Sequence, residues 1–103
     1  MNTLKVLAID FDGVIHNPND RAPGFRMGRP MPGAPEALRR LKDEGHVIIV
    51  HTVRGHEAYR QHVADWMKFF KIPCDSITNI KPEADLYLDD KGMKFEGWDK
   101  MNI

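Results

Sequence analysis

The sequence lacks three features that assign proteins to whole classes: a pair of cysteines, a net charge and a long uninterrupted apolar run. With Cys74 as its only cysteine it cannot form an internal disulfide, which favours a reducing compartment and predicts a cytoplasmic protein. Lys plus Arg and Asp plus Glu number 15 each, so no overall field attracts a membrane or nucleic acid. The longest apolar stretch, residues 6–15, is interrupted by Asp10 and Asp12, which excludes a membrane span and the apolar part of a signal peptide.

What the sequence does contain is typical of a small folded domain. Hydrophobic residues make up 42% and charged residues 29%, which are values of globular proteins rather than of disordered chains. A length of 103 residues suits one compact core, so we expect a single domain over residues 1–103.

Short apolar runs alternate with segments of helical spacing along the chain. The apolar runs predict buried strands over residues 4–9, 46–51, 75–78 and 85–88. Apolar residues at helical spacing predict helices over residues 34–44 and about 57–71. Prolines and glycines predict an irregular loop over residues 14–33, and so long a loop in a small domain is usually functional. The alternation predicts an α/β domain with parallel strands and right-handed crossovers.

Polar residues stand directly after three of these predicted strands. Asp10 and Asp12 follow the first strand, Thr52 follows the second, and Asp89 and Asp90 follow the last. Parallel sheets bind ligands beyond the carboxyl ends of their strands, so we expect these side chains to meet at one edge. Carboxylates that lie close together repel unless one is protonated or a cation lies between them. A set of oxygen ligands alone suits Mg²⁺.

At these positions the chain resembles the haloacid dehalogenase-like (HAD) superfamily of phosphohydrolases. The sequence LAIDFDGV at residues 7–14 resembles the family's motif I, and VIIVHT at residues 47–52 is similar to motif II. Lys81-Pro82 resembles motif III, and LYLDD at residues 86–90 resembles motif IV. The four motifs occur in the family's order. The resemblance implies a three-layer Rossmann-like domain of the small capless type. This chain departs from the family pattern after Asp90, where we expect a sheet truncated at its C-terminal edge.

The resemblance also implies roles for the acidic residues. Asp10 is expected to be the nucleophile, forming an aspartyl-phosphate and binding the metal. Asp12 is expected to be the general acid and then the general base, with its backbone carbonyl on the metal. Asp89 is the leading candidate for the second carboxylate ligand, and Asp90 is either a ligand or a neighbour of the ligands. The implied cofactor is Mg²⁺.

Phosphate binding is expected to come from two other segments. The resemblance implies that the Thr52 hydroxyl and the backbone N–H groups around it, including that of Val53, bind a phosphate oxygen. Lys81 is expected to neutralise the nucleophile and the phosphoryl group. Lys81 lies close before the last predicted strand, and Lys91 is the alternative. Arg54 either binds a second substrate anion through its guanidinium or is a surface residue.

The function implied is Mg²⁺-dependent hydrolysis of a phosphate monoester. The alternative is a non-catalytic module of the same fold that binds a phosphorylated ligand or regulates a partner. A receiver domain of a signalling pathway fits less well, because its acidic pair comes first in the chain and here the acidic pair comes last.

The expected substrate is phosphorylated and open in size. A site without a cap accepts large substrates such as a phosphorylated polymer, a nucleic-acid end or a protein. Nucleic acid is expected only as a substrate, no membrane partner is expected, and a homo-oligomer stays an open alternative. The long loop contains three basic residues, Arg21, Arg26 and Arg29, and one acidic residue, Asp20. The arginines either attract an anionic substrate or only solubilise the loop.

Several aromatic, histidine and cysteine residues are assigned no chemistry. No zinc site is predicted, because the histidines have no thiol partners at suitable spacing. His62 and Phe69 are expected in the core on the apolar helix face, and Trp98 is expected to pack the tail onto the sheet. His16 could contact substrate from the loop. Cys74 has no base near it in sequence and is a poor candidate for a nucleophile.

Overall fold

The strands and helices occur in the predicted order. The computed structural model describes residues 4–20, 27–52, 57–80, 82–89 and 97–98. The elements are β1 (Val6–Asp10), α1 (Ala34–Asp43), β2 (Val47–His51), α2 (Glu57–Phe69), β3 (Ser76–Thr78) and β4 (Leu86–Leu88). Each corresponds to one predicted element, with ends that differ by at most a few residues.

The strands form one 4-stranded parallel sheet in the order β3-β2-β1-β4. The helices α1 and α2 belong to the crossovers between β1 and β2 and between β2 and β3. The described residues between β3 and β4 contain no helix, as the short spacing predicts. The structure confirms an α/β domain with an all-parallel sheet flanked by helices, as in Rossmann-like three-layer folds.

The core is built from one face of each helix and from the central strands. In β1, Leu7 and Ile9 are each only 1% exposed. In α2 the buried residues are Val63, Trp66 and Met67, which follow the helical repeat of one face. Neither helix of the described residues is long and apolar enough to cross a membrane.

Two residues predicted for the core of α2 lie outside it. Phe69 is 61% exposed, and His62 is exposed as well. His62 is next in sequence to the buried Val63, and Phe69 is next to Phe70, which packs against the core. One step along a helix turns a side chain by about 100°. Phe70, one residue after Phe69, instead packs its ring 5.0 Å from that of Trp66.

The loop after β1 begins with a closed, buried turn. Phe11, Val14 and Ile15 are 0% exposed, and the Phe11 carbonyl accepts the N–H groups of Ile15 (3.0 Å) and His16 (2.8 Å). Gly13 has φ 87, a left-handed conformation that glycine adopts without strain. The turn takes the chain sharply out of the strand.

Residues from the far end of the chain pack on this turn. Trp98 is buried, and its indole Nε1–H donates to the Val14 carbonyl at 3.1 Å. Its hydrogen bond joins Trp98 to the loop after β1, and its side chain belongs to the same core cluster as the strand residues Leu7 and Ile9.

Both edge strands join the sheet through an aspartate at their amino ends. The Asp75 N–H donates to the Ile48 carbonyl (2.8 Å), and the Ile48 N–H donates to Asp75 Oδ2 (2.7 Å). Asp85 and Val6 make the same reciprocal pair, at 2.8 and 2.6 Å. We call these two pairs the aspartate clamps.

One clamp also carries a charge pair. Lys42 Nζ lies 2.7 Å from Asp75 Oδ2. The hydrogen bonds from Lys42 and from the Ile48 N–H hold the pKa of Asp75 below its usual value.

Candidate active site

The acidic residues that end β1 and follow β4 lie on neighbouring strands. Asp10 is the last residue of β1 and is in register with His51 of β2. On the other side Ile9 is in register with Leu88, so the next position of β4's path, Asp89, comes beside Asp10. Neighbouring strands are about 4.7–4.9 Å apart. The structure therefore brings Asp10 and Asp89 together at the carboxyl edge of the sheet.

His51 is a neighbour of Asp10 that the sequence analysis gave no role. Its Nδ1 lies 3.4 Å from Asp10 Oδ1, and the two side chains are 21% and 26% exposed. A separation of 3.4 Å makes a weak hydrogen bond. The signal that could have found this contact is the pairing itself, because both residues end consecutive buried strands at the same edge.

Asp12 lies in the turn after β1, with its side chain 32% exposed. Phe11 between the two acids is fully buried, while Asp10 and Asp12 are both half-buried. The buried Phe11 side chain thus points into the core, whereas both carboxylates stay partly exposed.

His16 fixes the side chain of Asp12. The histidine is 6% exposed, its Nδ1 lies 2.8 Å from Asp12 Oδ1, and the Gly28 N–H donates to its Nε2 at 2.8 Å. The expectation that His16 contacts substrate is wrong, because the ring is buried and both ring nitrogens are bonded within the protein.

Thr52 lies directly after β2 and is only 2% exposed. Its N–H donates to the Thr78 carbonyl at 2.9 Å, so this amide belongs to the sheet. The expected phosphate contacts of the Thr52 hydroxyl and of the neighbouring amides stay predictions. The other predicted residues of the site lie outside the described residues: Val53, Arg54, Lys81, Asp90 and the alternative Lys91.

The described residues fit Mg²⁺ only in part. No group of three His, Cys, Asp or Glu side chains among them could hold a metal ion by itself. Mg²⁺ is usually bound by one or two carboxylates, with waters and substrate phosphate completing the shell. Asp10 and Asp89 supply that number of carboxylates at adjacent register positions, and the Asp12 carbonyl is the further oxygen that the family resemblance implies.

A cavity of about 510 Å³ lies elsewhere, between α2 and the strand β3. Its lining includes Met67, Ile72 and Cys74 and none of the acidic residues of the carboxyl edge. Burial raises the pKa of the Cys74 thiol, and the nearby Asp75 raises it further. A thiol held in its protonated form is a poor nucleophile, in keeping with the sequence analysis.

Comparisons with known proteins establish the fold. The chain is similar in structure to a conserved protein from Bacteroides thetaiotaomicron, with a TM-score of 0.68 and 26% identity over 88% of this chain and 79% of the other. It is also similar to a crystal structure from Vibrio cholerae, with a TM-score of 0.60 and 24% identity over 78% of this chain and 72% of the other. No family model matches the chain. No curated protein is significantly similar to it.

Proposed function

We propose that the protein is a Mg²⁺-dependent phosphatase that hydrolyses a phosphate monoester through an aspartyl-phosphate on Asp10. The observation that carries the proposal is the register of the sheet, which sets Asp10 beside Asp89 at the carboxyl edge. The half-buried Asp12 follows in the turn directly after Asp10. These are positions at which the HAD resemblance requires a nucleophile, a metal ligand and an acid.

The reaction has two steps carried by the two acids of the turn. A carboxylate oxygen of Asp10 attacks phosphorus, the bond from phosphorus to the ester oxygen breaks, and the departing oxygen takes the proton of Asp12. Asp12 then removes a proton from water, which attacks the aspartyl-phosphate and releases inorganic phosphate and free Asp10. The enzyme returns to its starting form, with Asp12 protonated again.

Mg²⁺ would be held by Asp10, Asp89 and the Asp12 carbonyl, with Asp90 as a ligand or neighbour. It supplies positive charge that offsets the repulsion between the carboxylate and the phosphate. The Thr52 hydroxyl, the Val53 N–H and Lys81 would bind the phosphate oxygens, and Arg54 a second anion of the substrate.

The substrate we propose is a large phosphorylated molecule, as the resemblance to the small capless members of the HAD superfamily implies. Nucleic acid enters only as a substrate, and no membrane is involved. The lone Cys74 supports a cytoplasmic location.

The direct test is hydrolysis of p-nitrophenyl phosphate by the purified protein with Mg²⁺ and with EDTA. We expect turnover only with Mg²⁺. When the reaction with an ester radiolabelled in its phosphate group is quenched rapidly in acid, the wild-type protein should carry the label and Asp10→Asn should carry none. The matched control is Asp85→Asn, the same chemical change at the opposite edge of the sheet, which should retain the label.

Two results would contradict the proposal. One is absence of turnover for p-nitrophenyl phosphate and for a panel of phosphate esters, including 3′- and 5′-phosphorylated oligonucleotides, at saturating Mg²⁺. If such a protein still bound phosphorylated ligands, the non-catalytic alternative would be favoured. The other is turnover without label on Asp10, which would remove the covalent step.

A further inference from the structure

The imidazole of His16 has a defined tautomer. The Gly28 backbone N–H donates to Nε2 at 2.8 Å. A backbone amide can only donate, so Nε2 has no proton and accepts. In the neutral ring the proton is then on Nδ1, which donates to Asp12 Oδ1 at 2.8 Å.

Two aromatic rings of the core contact the imidazole. It stacks on Phe11, with ring centroids 5.1 Å apart and planes 6° from parallel. The ring of Trp66 lies perpendicular to it, with centroids 5.5 Å apart and planes at 90°. The Trp66 Nε1–H also donates to the Gly28 carbonyl at 2.9 Å, so the helix α2 fixes the residue that fixes His16.

Gly28 is required at its place by space. A Cβ atom there would collide with the backbone oxygens of Asn17 and Asp20. The chain can therefore bring the Gly28 N–H to the histidine only with glycine at this position.

We propose that His16 is a positioning residue for Asp12: its Nδ1–H fixes the Asp12 carboxyl and occupies Oδ1, so that Oδ2 carries the proton given to the leaving group. The assignment rests on the proposed phosphatase function. Without this bond the half-exposed side chain of Asp12 would rotate about its side-chain torsions. Catalytic groups lose rate steeply when they are displaced by about 1 Å, which makes a fixed carboxyl valuable for proton transfer.

Two substitutions distinguish the roles of the two ring nitrogens of His16. In His16→Asn the amide nitrogen comes close to the place of Nδ1 and can still donate to Asp12. In His16→Gln the side-chain amide reaches toward the place of Nε2, so it can meet Gly28 and loses the bond to Asp12. Both variants remove the stacked ring, so a purely structural loss affects them alike.

The readout is kcat/KM for a series of aryl phosphates from p-nitrophenyl to p-methoxyphenyl phosphate. The p-nitrophenolate ion leaves without a proton, whereas the p-methoxyphenolate ion needs one. We expect His16→Gln to lower kcat/KM for p-methoxyphenyl phosphate by about 10–100-fold and for p-nitrophenyl phosphate by less than about threefold. The ratio of the two rates does not depend on the folded fraction of the variant.

The controls set the two ends of the scale. In Asp12→Asn, kcat/KM should depend most steeply on the leaving group. In His16→Asn, the dependence of kcat/KM on the leaving group should stay near that of wild type. His62→Gln and His62→Asn, at an exposed histidine of α2, should leave the ratio unchanged. Equal losses for both esters in His16→Gln would overturn the positioning role and leave the phosphatase proposal intact.

A second measurement does not need activity. The ¹⁵N spectrum of the imidazole should show His16 with a protonated Nδ1 and a bare Nε2, the less common tautomer of free histidine. Finding the proton on Nε2 would overturn the assignment. A wild type inactive on every ester would overturn the phosphatase proposal, and the positioning role with it.

Discussion

Aspartates lie at the amino ends of some strands and at the carboxyl ends of others. We call these two sides of the sheet its amino edge and its carboxyl edge, and the aspartates on them have different surroundings. At the amino edge, Asp75 and Asp85 join the outer strands to their neighbours by accepting hydrogen bonds from the N–H groups of Ile48 and Val6. At the carboxyl edge, Asp10 and Asp89 come side by side on neighbouring strands. In a parallel sheet, an acid that precedes a strand and an acid that follows one lie at opposite edges. Position relative to the strand, more than residue type, separates structural acids from candidate catalytic ones.

The comparison is tested most strongly at Asp10. We expect Asp10→Asn to lower kcat/KM for p-nitrophenyl phosphate by about 10⁴-fold or more, the scale seen when a covalent nucleophile is removed. The urea midpoint should stay close to that of wild type, because the substitution keeps the shape of the side chain and removes a charge next to Asp89. A folded Asp10→Asn protein with wild-type turnover would contradict a catalytic role for the aspartates at the carboxyl edge.

A smaller effect is expected at Asp89. Replacing a metal ligand should cost at least the roughly 10–100-fold that loss of an outer partner of a metal site costs. We expect Asp89→Asn to raise by that factor the Mg²⁺ concentration needed for half-maximal rate, with part of the rate recovered at high Mg²⁺. The measurement is a Mg²⁺ titration of p-nitrophenyl phosphate hydrolysis. An unchanged titration curve would argue against Asp89 as a ligand.

At the amino edge the expected effect is on stability. Asp85→Ala removes the acceptor of the Val6 N–H, and the loss of one such hydrogen bond costs about 1 kcal/mol. The free energy of unfolding from urea titration should fall by that amount, while kcat for p-nitrophenyl phosphate per folded molecule stays at the wild-type value. A large fall in kcat at unchanged stability would mean that this clamp belongs to the active site.

The smallest effect depends on pH and concerns Asp75. Its lowered pKa means that the charged form stabilises the fold above the unfolded pKa, about 3.9, and that this contribution is lost as the pH falls through the folded value. The side chain is 40% exposed, so solvent screening keeps the contribution below about 1 kcal/mol. Asp75→Asn should be less stable than wild type at pH 7 and equal to it near pH 2 by urea unfolding. A stability difference independent of pH would assign the effect to shape rather than charge.

Local patterns were enough to predict the elements of the fold. The apolar run that became β2 ends at His51 in both the prediction and the structure, and β1 ends at Asp10, one residue beyond its predicted end. The same patterns predicted that Asp10 and Asp89 would meet.

Contacts that depend on the path of a loop could not be predicted in this way. The bond between His16 and Gly28 requires the chain to return after twelve residues, and no periodic pattern encodes that return. The pairing of β2 with β3 extends one residue beyond the strand and uses the Thr52 N–H, which the strand pattern alone did not predict. Phe69 was wrongly predicted to be buried because Trp66, Phe69 and Phe70 were all assigned to one helix face, and one face is too narrow to bury all three.

The bond between Trp98 and Val14 joins positions 84 residues apart. Closing so long a segment costs conformational entropy, so such a contact forms more slowly than a local one. During synthesis on the ribosome, the turn that follows Asp10 therefore reaches its final packing only after Trp98 has emerged. Nascent chains halted before that point would contain the strands β1 to β4 but would lack the hydrogen bond that joins Trp98 to the turn after β1.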